Sequence, residues 1–364
     1  MYEPKFDLTG KLAYYVEDLD RMRFRIERML IMPKHEQWLR REAFTRTAYS
    51  STMVENAAIP EHEMEEAIKA SPVAGIPKDR VEVSNYGRGL EFVDFVSDDA
   101  EITCDESVVR QVQWFLMKGV KDTSLHPGQY RTEPNWIEDQ GVKVYEPAFH
   151  VDVPILMREF SVWLREDKET HAILKAGIAH ARLVAIHPFV DGNGRTGRLL
   201  ATCLLQKSGY GFRKLLSLDA YYQRNRDAYI GALRQSLGEK FHPDQDLTAW
   251  LEFFALSLSV QASMLEARLT DWRMMLEGFH RSMAYSGLNE RQMDGLLYAT
   301  RIGQISRKDY CEITGVSPLT GTRDLTEMTK RGFLIPDGQG RNRVYKYKGQ
   351  DQAKSSEKEQ PKLL

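Results

Sequence analysis

The sequence predicts a mainly α-helical protein, a helical bundle with one β-hairpin, followed by a smaller helix-turn-helix unit with a hairpin wing. Three observations predict it. Apolar residues recur at helical spacing through most of the chain, as in 11–32 (Leu12, Tyr15, Leu19, Met22, Ile26, Met29, Leu30) and 248–269 (Leu251, Phe254, Leu258, Met264). Strand chemistry, with aromatic and β-branched residues flanking a polar, Gly-containing turn, is confined to 126–147 and 333–347. After about Gly278 the pattern changes to short helices separated by tight turns.

Taken in order, 11–32 reads as a helix buried along one face and broken at Pro33, and 37–58 resumes helically. A short helix follows at 61–70; Ser71, Pro72, Gly75 and Pro77 interrupt the chain before 79–95, where Asn85 and Tyr86 read as packing residues. The next helix, 106–117, closes at Gly119. Tyr130, Trp136 and Ile137 on one side of a turn and Val142, Val144 and Tyr145 on the other suggest the hairpin. Pro154 opens a helix through Leu164, in keeping with proline's preference for a first turn. An alanine-rich apolar helix then runs to Ile186, where Pro188 makes further helix unfavourable. His171 and His180 lie on it without a partner at metal-binding spacing, so both read as packing or surface histidines. Helices at 195–205, 218–229 and 248–269 complete the bundle.

The 364 residues allow two or three domains, and 42% hydrophobic content with 28% charged residues and a formal charge of -2 describes a soluble globular protein. That balance excludes bulk attraction to nucleic acid or to an anionic membrane. Three separated cysteines, Cys104, Cys203 and Cys311, form no CxxC, so neither a disulfide framework nor a zinc site is expected. The N-terminus has no apolar signal core and no apolar run is long enough to span a membrane, so a cytoplasmic protein with no membrane partner is expected. Residues 349–364, rich in Gln, Lys, Ser and Glu, read as a solvated, flexible tail.

One stretch organises the rest: His187-Pro188-Phe189-Val190-Asp191-Gly192-Asn193-Gly194-Arg195-Thr196-Gly197-Arg198. A loop begins at the end of one helix and closes on the start of the next. Gly192 and Gly194 let the backbone turn and approach a ligand closely. Unpaired N–H groups at the new helix start, its dipole, and arginines at 195 and 198 suit a polyphosphate. An imidazole at 187 can take a proton from an attacking hydroxyl, and a carboxylate at 191 can hold the magnesium that accompanies nucleotide phosphates.

This stretch resembles the signature of Fic-domain proteins, HPFx(D/E)GNGRxxR, with every fixed position filled. The resemblance implies a Fic-type bundle and transfer of AMP from Mg-ATP to a Tyr, Ser or Thr hydroxyl of a target protein or of the chain itself. In that reading ATP and Mg2+ are the cofactors, His187 is the base, and Asp191 holds the metal. Gly192, Asn193, Gly194, Arg195, Thr196, Gly197 and Arg198 bind the phosphates, with Arg198 nearest the terminal one. Ser51, Glu55 and Asn56 resemble the inhibitory-helix motif (S/T)xxxE(G/N), which implies that Glu55 pairs with Arg198 and restrains the enzyme; a solvated surface glutamate is the plainer reading of that short pattern alone. The segment from Gly128 to Pro147 is similar to the Fic flap, which implies that Asn135, Trp136 and Ile137 hold the target's side chain, although an ordinary surface hairpin accounts for the same residues. Tyr221, Asn225 and Tyr229 fall four apart on one helix face; Fic proteins contact adenine from this region, which marks Asn225 and Tyr229, and helix packing explains them equally. A lysine stands at the position of Gly194 in Fic relatives that phosphorylate, so glycine favours AMP transfer. Transfer of another nucleotide or of phosphocholine, or hydrolytic removal of AMP, stays open. The domain layout expected is an N-terminal helical region at 1–110 with the inhibitory helix near 45–58, a catalytic core at 111–275, a winged helix at 285–348 and the tail.

In the C-terminal unit, helices are expected at 288–300, 306–313 and 317–331, followed by a hairpin with the Gly-rich tip 336–340. Its third helix would offer Thr320, Thr322, Arg323 and Lys330 to a DNA major groove, and Arg341, Arg343, Lys346 and Lys348 would reach phosphates. Such modules equally serve protein docking or a homodimer. A rival reading of the whole chain follows, a DNA-binding regulator whose Fic core senses nucleotide.

Overall fold

The structure is a computed structural model, and it describes residues 2–29, 31, 33–55, 59–60, 63–69, 77–120, 126–139, 141–283, 286–338, 340 and 343–348. The chain divides into two compact units, residues 1–29 with 39–266 and residues 30–38 with 267–364. The expected tail, 349–364, lies outside the described residues.

The first unit is built on α1 (Gly10–Arg28), α2 (Pro33–Val54), α3 (Met64–Lys69), α4 (Lys78–Asp98), α5 (Glu106–Met117), α6 (Val153–Glu166), α7 (Ala172–Ile186), α8 (Asn193–Lys207), α9 (Leu218–Arg224), α10 (Arg226–Leu237) and the first part of α11 (Thr248–Met283). Two short strands, β1 (Ile137–Asp139) and β2 (Val142–Tyr145), pair antiparallel, with a bulge between Ile137 and Glu138. Apart from residues 30–38, the N-terminal region up to residue 110 therefore belongs to the same compact unit as the helices that follow it.

Helix α7 is the axis of this unit because its sequence has almost no polar face. From Ile173 to Ile186 only Lys175 reaches solvent appreciably, and each buried Ile or Leu contributes about 1.5–3 kcal/mol. Its small residues allow close packing: a Cβ on Gly177 would stand 2.8 Å from Leu251 Cδ2 and 3.1 Å from Phe254 Cδ1 of α11. Trp250 Nε1 uses that proximity to donate to the Gly177 carbonyl at 2.7 Å. Helix α8 packs along another side of α7, with Gly197 against His180, and α4 and α5 cover α8. Asn85 of α4 donates to the Leu116 and Lys118 carbonyls at 3.0 and 2.8 Å, satisfying the end of α5.

Four expectations are corrected. Pro33 does not break the first helix: α1 ends at Arg28 and Pro33 opens α2, where its missing N–H costs nothing. The single helix expected at 218–229 is two, because Asn225 (φ -123, ψ 40) turns both its backbone and side-chain amides onto the Tyr221 carbonyl, at 3.0 and 2.9 Å, and ends α9. Helix α11 continues past residue 269 to Met283. A strand was missed at 304–306, where three residues are too few to show alternation.

The second unit runs α12 (Glu290–Ile302), β3 (Gln304–Ser306), α13 (Arg307–Thr314), α14 (Pro318–Lys330), β4 (Leu334–Asp337) and β5 (Val344–Tyr347). Asn289 with Gln292 and Ser306 with Asp309 form capping boxes, and Ser317 caps α14. The sheet order is β3-β5-β4, antiparallel throughout. Leu296, Ala299, Ile305, Tyr310, Leu325, Met328, Leu334 and Tyr345 fill its core. The buried carboxylate of Asp324 accepts from Tyr310 at 3.0 Å and Arg291 at 2.7 Å.

Candidate active site

His187 is the last residue of α7's hydrogen-bonding pattern and the first of the loop. Its N–H still donates to Leu183 at 2.9 Å, while its own backbone is left-handed (φ 51, ψ 58), an unfavourable conformation for a residue with a Cβ. Arg131 holds it there. The Arg131 Nε donates to the His187 carbonyl at 2.8 Å and its backbone N–H to Pro188 at 2.9 Å, while the guanidinium also reaches the carbonyls of Glu133, Ala148 and Ile186. A charge this buried is tolerated because carbonyl oxygens surround it.

The loop is closed from within. The Asn193 amide clamps the Phe189 backbone in both directions at 2.9 Å, and Thr196 Oγ1 donates to the Gly192 carbonyl at 2.8 Å. Gly192 has φ 81, and a Cβ on it would stand 2.9 Å from Met117 Sδ. Gln113 of α5 ties the loop outward, donating to the Asp191 carbonyl at 3.0 Å. The Asn193 side chain thus shapes the cradle, and what it leaves for a phosphate is its backbone amide. The Asp191 carboxylate takes the Gly192 N–H at 2.5 Å and lies 3.4 Å from Arg195, yet stays 44% exposed.

Helix α8 begins with no side-chain cap, so its first-turn amides and dipole face the cavity. The carboxylate of Glu55, one residue beyond the end of α2, lies over this end: a Cβ on Gly194 would stand 2.7 Å from Glu55 Oε1. Arg198 donates to that oxygen at 2.9 Å and to the Ser51 hydroxyl and carbonyl at 2.9 and 3.0 Å. Its other carboxylate is Asp219, 3.0 Å from Nε and fully buried, which also accepts from Tyr86 at 3.2 Å. Arg195 is 4% exposed, between Glu82 and Asp191 at 3.4 Å each, and its Nε makes no hydrogen bond among the described residues.

Charge states follow from these neighbours. Burial works to raise the Glu55 carboxyl, but Arg198, Arg195 and Arg226 outweigh it and hold the group below the ordinary carboxylate range. Burial, seconded by the Arg131 guanidinium, pushes His187 down to about 4, with the Val184 backbone, Asp191 and Glu55 pulling the other way. The imidazole is therefore neutral at pH 7. Its Nδ1 is buried, which leaves Nε2 to face a ligand. His187, Glu55, Gly194, Arg226, Tyr229 and the flap residues Ile137 and Val144 line one cavity of about 170 Å³.

The residues singled out from the sequence fall unevenly around this cavity. Ile137 roofs it from β1; Asn135 donates to the Phe189 carbonyl at 3.3 Å; Trp136 points to solvent, 52% exposed. Tyr229 lines the cavity, but its hydroxyl is engaged by His180 at 3.1 Å and Arg198 at 3.4 Å. Asn225 sits at the break between α9 and α10, where it stands as the N-cap of α10 and its carbonyl accepts from the Tyr229 N–H at 2.9 Å, but it is not among the residues that line the cavity. Asn56 lies outside the described residues. Three participants were not foreseen: Arg131, quoted only as part of the flap segment, Asp219, and Arg226, which donates to the Val54 carbonyl at 3.0 Å and so fastens the end of α2. Each works through distant backbone or a buried pair, which leaves no local pattern to read.

Comparison with known proteins agrees with this geometry. A "Probable protein adenylyltransferase" of Aquifex aeolicus is 42% identical over 152 residues, 42% of this chain and 44% of that protein. The "Protein adenylyltransferase Fic" of Drosophila mojavensis is 51% identical over 61 residues, 16% of this chain and 12% of that one. The chain thus spans less than half the length of these curated relatives. A Fic family protein from Desulfovibrio desulfuricans G20 superposes with a TM-score of 0.63 at 22% identity, over 96% of this chain and 99% of that one. A Fic domain containing signaling protein from Bacteroides thetaiotaomicron gives 0.59 at 21% identity, over 71% of this chain and 97% of that one. Residues 103–205, from just before α5 to the last turn of α8, match the Fic/DOC family model, and the chain carries a domain of that family.

Proposed function

We propose that the protein is an adenylyltransferase that moves AMP from Mg-ATP to a hydroxyl of a target protein or of itself, restrained by Glu55. One observation carries the reading: a neutral imidazole shares a cavity with a helix start already occupied by a carboxylate and an arginine, an anion site beside a base. A Tyr, Ser or Thr hydroxyl under the 137–145 hairpin loses its proton to His187 as its oxygen attacks the α-phosphorus; the bond to the bridging oxygen breaks and pyrophosphate leaves. The amides at 193 and 194 and the arginines at 195 and 198 meet the charge that gathers on the phosphates. Asp191, its side chain 44% exposed, would hold Mg2+ with phosphate oxygens, the donor set that ion favours, and the bound ion would neutralise phosphate charge. Glu55, charged at neutral pH, competes with the terminal phosphate for Arg198.

The test is intact-mass spectrometry after incubating the full chain with Mg-ATP. Glu55→Gly is expected to gain one AMP, the unaltered chain far less, and Glu55→Gly/His187→Ala none. No gain in Glu55→Gly alone, with or without a cell lysate as target source, would discard the enzyme reading. Equal gain in Glu55→Gly and the unaltered chain would discard only the restraint. Gain of another group in place of AMP would reassign the donor.

A second reading is favoured by the exposed face of α14, where Leu319, Thr322, Arg323, Thr326 and Lys330 stand clear of the core. We infer that this unit is a winged helix that docks on DNA through α14, with Arg343 and Lys348 of the wing on phosphates. Lys346 is already paired with Asp337 at 2.6 Å, Thr320 bonds the Ser317 cap, and Arg341 lies outside the described residues. Fluorescence anisotropy with random duplex DNA across a salt series tests it: Arg323→Ala/Lys330→Ala should weaken binding about tenfold and flatten the salt slope. Salt-independent or absent binding would leave protein docking as the role.

A further inference from the structure

The sulfurs of Cys104 and Cys203 lie 2.7 Å apart. At that separation one thiol donates its S–H to the other, and a small side-chain rotation brings the sulfurs to the roughly 2.05 Å of a disulfide bond. They come from different elements and are 99 residues apart in sequence. Cys104 stands in the loop between α4 and α5, one residue before Asp105, which caps α5. Cys203 stands on α8, wholly buried, five residues beyond Arg198 on the helix whose start is the anion site.

The pair is unequal. Thr103 and Ser107 beside Cys104 are exposed, so its loop brings that thiol just beneath the surface, at 4% exposure. Lys207, one turn further along α8, fastens the end of α4 and the start of that loop by donating to the carbonyls of Val96 at 3.0 Å and Asp99 at 2.6 Å. The hydrogen bond from Cys203 and the Lys207 ammonium make Cys104 the more acidic sulfur, while the hydrogen bond to Cys104 and burial push the Cys203 thiol up. One partner is thus suited to be the nucleophile and the other to resolve the product.

We propose that Cys104 and Cys203 are an oxidant-sensitive dithiol that closes into a disulfide between the α4–α5 loop and α8 when the protein meets a peroxide. Cys104 gives up its proton, and the thiolate attacks one peroxide oxygen; the O–O bond breaks, a sulfenic acid forms, and the departing hydroxide takes up the released proton to become water. Cys203 Sγ then attacks the Cys104 sulfur, the S–S bond forms, and a second water leaves with the proton of the Cys203 thiol. Two thiols are oxidised by two electrons and one hydrogen peroxide is reduced to two waters.

The experiment needs no enzymatic activity. The full chain is treated with hydrogen peroxide at a small molar excess, unfolded without reductant, alkylated with iodoacetamide and mapped by mass spectrometry. The expected result is a linked Cys104–Cys203 peptide that dithiothreitol opens, with Cys311 alkylated. Tm should rise by about 5 °C, since a bridge across a loop of about 100 residues restrains the unfolded chain strongly. Cys104→Ser and Cys203→Ser should each abolish both the link and the rise. Alkylated thiols at both positions, an over-oxidised Cys104 beside an alkylated Cys203, or a link to Cys311 instead would overturn the proposal, and the mapping on the unaltered chain decides this even if a variant fails to fold.

Discussion

A carboxylate oxygen of Glu55 occupies the space into which any side chain on Gly194 would have to grow, 2.7 Å from where its Cβ would be. The glycine is required because an anion must approach the first turn of α8 at its backbone, and a phosphate oxygen reaching the same amides would meet the same obstruction. Gly194→Ala in the Glu55→Gly background should therefore weaken ATP binding, measured by calorimetry, by tenfold or more while leaving Tm within a few degrees. Unchanged affinity would mean that the nucleotide lies elsewhere.

Much of this was legible beforehand. The turn at Pro188, the glycines and the resumed apolar pattern located both helices of the site to within two residues, because proline and glycine act locally. The pairing of Glu55 with Arg198 followed from a motif resemblance rather than from periodicity. Asp219 could not be found that way: it lies on a short helix and matters only because folding brings it to 3.0 Å from Arg198. The break at Asn225 escaped for a similar reason, since the 218–229 spacing is helical and only the amide's bond to Tyr221 decides otherwise. Strand β3 depends on pairing with β5, a partner about forty residues away.

The imidazole of His187 sets the acid limb of the reaction. Because burial and Arg131 push it down to about 4, the unprotonated base persists well below the usual histidine range. Self-modification by Glu55→Gly, followed from pH 8 downward with folding monitored by circular dichroism, should hold level through pH 6 and fall only as pH nears the low end. Removing Glu55 also removes one of the groups favouring the proton, so the limb should not move upward. A midpoint near 6.5 would show an ordinary solvated imidazole.

His180 should dominate acid stability. It is fully buried, stacked on Trp250 at 4.7 Å, and its pKa is pushed down to about 3, mainly by burial and also by Arg198. A folded-state value below the unfolded value of about 6.5 means that the unfolded chain binds the proton first, so stability is complete above about 6.5 and is lost as pH falls from there. One proton corresponds to about 1.4 kcal/mol per pH unit, and His187 adds a second over the upper part of the same window. His180→Gln lowers stability at neutral pH through the lost stacking, yet urea titrations between pH 6 and 4.5 should show its slope smaller by about one proton. An unchanged slope would rule out His180 as the titrating group.

Arg198 couples two carboxylates, Asp219 and Glu55. Asp219 is buried and permanent, whereas Glu55 is 39% exposed and displaceable. Removing either leaves the guanidinium one carboxylate; removing both leaves a buried cation with, among the described residues, only the Ser51 oxygens and the Tyr229 hydroxyl. Losing the last charged partner of a buried charge costs about 3–5 kcal/mol, far more than losing a redundant one. Asp219→Asn and Glu55→Gln should therefore destabilise more together than the sum of the two alone, with a coupling of about 1 kcal/mol or more in a urea double-mutant cycle. Additivity would mean that Arg198 is solvated once Glu55 is gone. The same cycle predicts the nucleotide's response: Mg-ATP should raise Tm most in the double variant, where the terminal phosphate supplies the only anion available to Arg198.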